Sequence, residues 1–274
     1  MTSSRTFFPT QKLDLTYLQR DESWTPVVLV SCGSFNPPTK MHISMFHLAQ
    51  KSLFQRGMHV CGAYMSPVHD AYGKAGLVLG AHRVAMCQAA SVASNLVMVD
   101  EWEVAQEGYT RTLEVLRHVR EELVKLHADH KQGADVPRVL LLCGGDVLAT
   151  MAMPGVWKDP HILLEEFGVV CLERGEHRYA EQLKLNTDSV STSFISVEGS
   201  FGQILGLPST GTSQDISDSA KDSETASPLK DFLRRFKDQI FFVDSDERDG
   251  QILTTPDLSS TIVRAALKVW GASA

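Results

Sequence analysis

Six short apolar runs constrain this chain more than any other feature. They are "VVLVSC" at Val27–Cys32, "HVCGAYM" at His59–Met65, "LVMV" at Leu96–Val99, "VLLLC" at Val139–Cys143, "VVCL" at Val169–Leu172 and "IFFV" at Ile240–Val243. A strand wet on one face alternates apolar with polar residues, whereas a continuous apolar run is a strand covered on both faces. Amphipathic stretches separate the runs and predict helices over His42–Gln55, Ala81–Ala93, Thr110–Leu126, Asp146–Met153 and Ala180–Lys184. The third is the clearest, with Leu113, Leu116, Val119 and Leu123 at helical spacing, and His118 on it reads as a surface or packing residue. Strand and helix in alternation predict an α/β fold, a doubly wound and mainly parallel sheet. A chain of 274 residues suffices for one such domain, expected at 26–274 behind an N-terminal extension at 1–25.

Composition narrows the partners. Thirty-three acidic residues against 26 Lys and Arg give a net charge of −7, which excludes broad electrostatic capture of nucleic acid or an acidic membrane. No apolar run approaches the roughly 20 residues that cross a bilayer. The start, "MTSSRTFFPTQKLDL", lacks the apolar segment of a secretory leader, so the expected location is cytoplasmic or nuclear, not secreted. Five cysteines without a CxxC pair read as buried thiols rather than a disulfide framework or a zinc site. The stretch at about 186–230, rich in Ser, Thr and acids, is expected to be a disordered insertion, because it carries too little apolar surface to offset the entropy of ordering.

Ligands of such sheets bind beyond the carboxyl ends of the strands. After the first run comes "GSFNPPTKMH": Gly33 permits a sharp exit, Pro37 and Pro38 stiffen the turn, and Thr39 caps a helix whose third residue is His42. A helix N-terminus with a histidine is a phosphate cradle, and it is equally an ordinary capped helix with an incidental histidine. Both readings stand on this stretch alone. A second helix start, "PDLSSTIVRAAL", puts Ser260, Thr261 and Arg264 on one face, where a guanidinium can grip phosphate or lie in solvent. Two such cradles in one α/β domain favour a polyphosphate ligand.

These residues carry a resemblance. "GSFNPPTKMH" and "LSSTIVRAAL" are similar to the first and last motifs of the nucleotidyltransferase superfamily, in its eukaryotic nicotinamide mononucleotide adenylyltransferase branch. Between them "SPVHDAYGKAGL", "AHRVAMCQ", "VDEWE", "LRHVREEL", "LLCGGDVLATMAMPGVWK" and "FGVVCLERGEH" follow in that family's order. The wider superfamily has HxGH; here Thr39 and Met41 stand for its first histidine and glycine, as expected of the eukaryotic branch.

The resemblance implies a Rossmann-like nucleotidyltransferase fold and transfer of an adenylyl group from ATP to nicotinamide mononucleotide, with nicotinic acid mononucleotide as a further acceptor. It implies His42, Lys74 and Arg264 as catalytic. Gly33, Ser34, Phe35, Gly144, Asp146, Arg174, Ser260 and Thr261 join His42 and Arg264 around ATP. Ser34, Tyr72, Lys74, Trp102 and Trp157 surround the nicotinamide nucleotide, whose cationic pyridinium suits an indole face. Asp244 stands where the family has an asparagine. Mg²⁺ enters with ATP rather than on protein ligands. Nucleic acid and membrane are not expected partners, and a homo-oligomer is left open. Two competitors remain: another enzyme of the superfamily, such as a pantetheine-phosphate adenylyltransferase or a cytidylyltransferase, and an NAD-binding chaperone or regulator with weak catalysis.

Overall fold

The computed structural model describes residues 7–16, 24–130, 136–173, 179 and 228–244. Six strands form one sheet: β1 (Thr25–Gly33), β2 (Met58–Pro67), β3 (Val97–Val99), β4 (Arg138–Gly144), β5 (Val169–Glu173) and β6 (Ile240–Asp244). Their order is β3-β2-β1-β4-β5-β6, and every pairing is parallel. The helices are α1 (Lys40–Phe54), α2 (Gly80–Ser91), α3 (Thr112–His130), α4 (Gly145–Met151), α5 (Pro160–Glu166) and α6 (Pro228–Arg235).

The apolar runs are continuous because each serves two cores. On β1, Val27 and Leu29 point into a cluster with Phe46, Ala49 and Leu53 of α1 and with Val84 and Cys87 of α2. Val28 and Val30 point the other way, into a cluster with Leu116, Val119 and Leu123 of α3, Leu148 of α4, Leu163 of α5 and Leu233 of α6. All four valines and leucines of that strand are fully buried. The chain steps outward from β1 to β2 to β3 with α1 and α2 on one face. It then crosses back through α3 on the other face and steps outward again from β4. Right-handed crossovers require that change of face when the direction of winding reverses. The reversal leaves a crevice between the carboxyl ends of β1 and β4, the place where ligands of such sheets bind.

All six predicted strands are present, and four of the predicted helices correspond to α1–α4. The predicted helix at Ala180–Lys184 lies outside the described residues. The two short helices α5 and α6 were not expected. Each presents one turn of apolar side chains, Leu163 and Leu164 or Leu233, which is too little periodicity to separate a helix from a loop. The expected insertion at about 186–230 lies outside the described residues except at 228–230, which open α6. All five cysteines are free thiols, four of them buried.

Residues 7–16 lie across β2. Phe8 packs on Tyr64 with ring centroids 4.8 Å apart, and the Tyr64 hydroxyl donates to the Pro9 carbonyl at 2.8 Å. Lys12 donates to the carbonyls of Ser91 and Val97, tying α2 to β3.

Candidate active site

The carboxyl end of β1 and the first turn of α1 form one locally determined unit. Thr39 is the N-cap of α1 in extended conformation, and His42 is the third helical residue, as the spacing predicts. The Thr39 backbone N–H donates to His42 Nδ1 at 2.9 Å, and Thr39 Oγ1 lies 2.8 Å from the same nitrogen. Histidine here takes the part that glutamate plays in a capping box. An amide N–H needs an acceptor, so Nδ1 is unprotonated and the neutral ring carries its hydrogen on Nε2. The cap therefore makes His42 a donor through its outer nitrogen. Phe35 braces it, ring edge to ring face at 5.3 Å. Phe35 is buried and its backbone is left-handed at φ 43°. Its ring packs on Gly33 and His42.

The loop after β2 carries Tyr72 and Lys74, both exposed. Tyr72 stacks on Tyr109 at 5.8 Å between centroids, joining this loop to the one after β3. Gly144 ends β4 and is the N-cap of α4, and Asp146 is the second residue of that helix. A Cβ at Gly144 would sit 2.5 Å from Asp146 Oδ1, so only glycine lets that carboxylate lie over the strand end.

Trp102 follows β3 and has one face covered. His118 stacks on the indole at 4.3 Å, nearly parallel at 8°, leaving at most the opposite face to a ligand. Burial behind the indole holds the His118 ring below the usual histidine range. Its Nε2 stands 3.6 Å from Asp100 Oδ2, an oxygen without a hydrogen-bond partner in a buried carboxylate. Burial pushes Asp100 up to about 6, against the bond it accepts from the Trp102 N–H. Burial likewise pushes Glu103 up to about 7, partly opposed by the Ser66 hydroxyl that donates to it at 2.7 Å. A cavity of about 790 Å³ opens between the loop after β3 and α3, lined by Tyr109, Thr110, Glu114, Arg117 and His118 among others. Trp102 alone of the predicted site residues lines it. Trp157 sits between α4 and α5 and donates its indole N–H to Thr150 Oγ1 at 2.8 Å.

Those predicted residues that the structure describes thus lie at or beyond the carboxyl ends of four adjacent strands, β3, β2, β1 and β4. A family model described as cytidylyltransferase-like matches residues 30–266. The chain belongs to that family.

Within the cytidylyltransferase-like family the chain is similar to curated relatives named nicotinamide/nicotinic acid mononucleotide adenylyltransferase. It is 46% identical to the one from Oryza sativa over 168 residues, 61% of this chain and 66% of the relative. It is 44% identical to that from Arabidopsis thaliana, covering 61% of this chain and 68% of the relative. The Schizosaccharomyces pombe relative is 43% identical over 161 residues, 56% of this chain and 44% of the relative. The chain thus spans about two thirds of the plant proteins it matches, and less than half of the yeast one.

Arg174, Ser260, Thr261 and Arg264 of this cytidylyltransferase-like chain lie outside the described residues. Asp244 ends β6 at an exposed position, paired in register with Glu173. Sequence reasoning missed Asn36, Arg83, Asp100, Glu103 and Tyr109. Arg83 had a readable signal. It falls within the apolar stripe of α2, beside Val84 and Cys87, where an arginine must be buried or the helix misread.

Proposed function

We propose that this chain transfers the adenylyl group of ATP to nicotinamide mononucleotide, and to nicotinic acid mononucleotide, forming the dinucleotide and pyrophosphate. One observation carries the reading. His42 is held by its own helix cap as an Nε2–H donor at the mouth of α1, beside the crevice where the sheet reverses. The names of the relatives supply the substrate class.

In this mechanism an oxygen of the mononucleotide's 5′-phosphate attacks the α-phosphorus of ATP in line, and the bond to the β-phosphate breaks. The attacking phosphate is already anionic, so no general base is required. What the protein must do is orient two anions and stabilise charge moving onto the leaving group. His42 donates to the phosphate chain at the N-terminus of α1, where the helix end itself favours negative charge. Lys74 brings a positive charge from the opposite loop, and Arg264 with Ser260 and Thr261 holds the β- and γ-phosphates. Asp146 accepts from a ribose hydroxyl, and Arg174 lies by the adenosine. Trp102, through the face that His118 leaves uncovered, and Trp157 accommodate the pyridinium. Among the described residues no three His, Cys, Asp or Glu are grouped to hold an ion. Mg²⁺, which prefers phosphate oxygens and water, suits a place on ATP and neutralises its phosphates there.

The test is direct. The protein is incubated with ATP, Mg²⁺ and nicotinamide mononucleotide, and separately with nicotinic acid mononucleotide. Dinucleotide and pyrophosphate appearing in equal amounts support the proposal; neither product appearing with either acceptor refutes it.

A further inference from the structure

Arg83 is a fully buried cation at the centre of the site's scaffolding, and nothing in the proposed chemistry uses it. Its Nε donates to the Val78 carbonyl at 2.7 Å, its Nη1 to the Ser34 carbonyl at 3.2 Å, and its Nη2 to the Val68 carbonyl at 2.6 Å. The same Nη2 donates to Asp70 Oδ1 at 2.8 Å. Val68 and Asp70 begin the loop that carries Tyr72 and Lys74; Val78 ends it. Ser34 belongs to the loop that leads to His42. One guanidinium therefore closes the neck of the lysine loop and joins it to the histidine loop.

Asn36 makes a second tie between the same two loops. Its side-chain N–H donates to the Gly76 carbonyl at 2.8 Å, and its oxygen accepts from the Val78 N–H at 3.3 Å. The loop after β3 closes the hub from a third side. A Cβ at Gly80 would run into Val104, so the start of α2 approaches that loop as only glycine allows. Glu103, beside Val104, is buried and feels the Arg83 charge.

Burying a guanidinium is expensive, and an apolar side chain of similar volume often serves stability as well or better. What an apolar residue lacks is a planar fork of five donors able to reach three segments of chain at once. A lysine, with one nitrogen, also cannot span them. We infer that Arg83 is a positioning residue: it fixes the loop that carries Lys74 against the loop that leads to His42, and Asn36 supports it. The inference rests on the adenylyl-transfer reading for what the two side chains then do.

The experiment is a double-mutant cycle with an independent structural readout. Arg83→Lys, Lys74→Ala and the pair are assayed for dinucleotide formation, and amide exchange is followed over 73–79. Misplacing a reactive group by about 1 Å costs on the order of 100-fold, so Arg83→Lys is expected to lower kcat/KM by about 10- to 100-fold. Exchange over 73–79 should quicken while the amides of β1 and α1 keep their protection. In the Arg83→Lys background, Lys74→Ala should cost no more than about twofold, because the lysine is already displaced. Lys74→Ala costing the same factor in both backgrounds would overturn the inference, as would unchanged exchange over the loop. Should Arg83→Lys melt early, Asn36→Ala carries the same cycle without stranding a cation, with a smaller loss in the same direction. Wild-type protein that makes no dinucleotide would sink the adenylyl-transfer reading, while the exchange result would still decide whether Arg83 holds the loop.

Discussion

The loop after β1 and the loop after β2 leave adjacent strands side by side and are built on opposite principles. The first, at 33–39, is largely tucked in: Phe35 and Asn36 are each 3% exposed, and the chain passes directly into a helix that caps itself through His42. The second, at 68–79, is exposed from Asp70 through Gly76, and its ties are at its ends. His42 is placed by neighbours three residues away; Lys74 is placed by an arginine nine residues on and an asparagine 38 residues back. One loop is thus fixed locally and the other only by the packed fold.

Predictions test that contrast. The largest effect is expected at the rigid loop: His42→Ala should lower turnover at least about 100-fold, as removal of a preorganised transition-state donor does. Steady-state kinetics of a variant that melts normally checks this, and turnover within a few-fold of wild type would remove His42 from the chemistry.

Next comes the buried floor shared by the loops. The Glu103 carboxyl has its folded pKa raised to about 7 from an ordinary 4.5. A raised carboxyl makes the folded chain bind protons more tightly than the unfolded one, so stability falls as pH rises between those values and stays reduced above them. Glu103→Gln, which keeps an acceptor for Ser66, should be more stable than wild type at pH 8 by on the order of 2 kcal/mol. At pH 4 the two should melt alike. Denaturant titrations at both pH values decide it; a variant less stable at pH 8 would show that the ionised carboxylate is wanted.

Lys74→Ala should lower kcat/KM by about 10- to 100-fold, the worth of one hydrogen bond to a charged partner. Its melting temperature should not move, because the loop is exposed there. A shifted melting temperature would mean that Lys74 braces the fold, and the contrast between the loops would weaken. The smallest effect belongs to Thr39→Ala. The backbone N–H that holds His42 survives this change, so activity should stay within about threefold. The lost cap contact should cost about 1 kcal/mol of stability in a thermal melt.

The same contrast explains which features were legible beforehand. The strands were, because a strand buried on both faces must be apolar at every position, and β1 divides Val27 and Leu29 from Val28 and Val30 without a polar gap. The place of His42 was legible too, since a cap and the third residue of its helix are adjacent in sequence. Helices α5 and α6 were not, because each buries only one turn. His118 read as a surface or packing residue, and nothing in its helix announced that it would lie flat against Trp102. Arg83 stood out as an arginine inside an apolar stripe, but its role was not legible, because the three carbonyls that converge on it belong to other segments.

What the amino-acid order determined by itself is short-range: which runs must be strands, where α1 begins, and that His42 is its third residue. Periodicity and capping act within a few residues, so they can be read along the chain. What only the tertiary structure decided is how the loops stand to one another. A buried guanidinium has to find acceptors when water is excluded, and three of its four here are backbone carbonyls, groups that every residue carries and no sequence pattern marks.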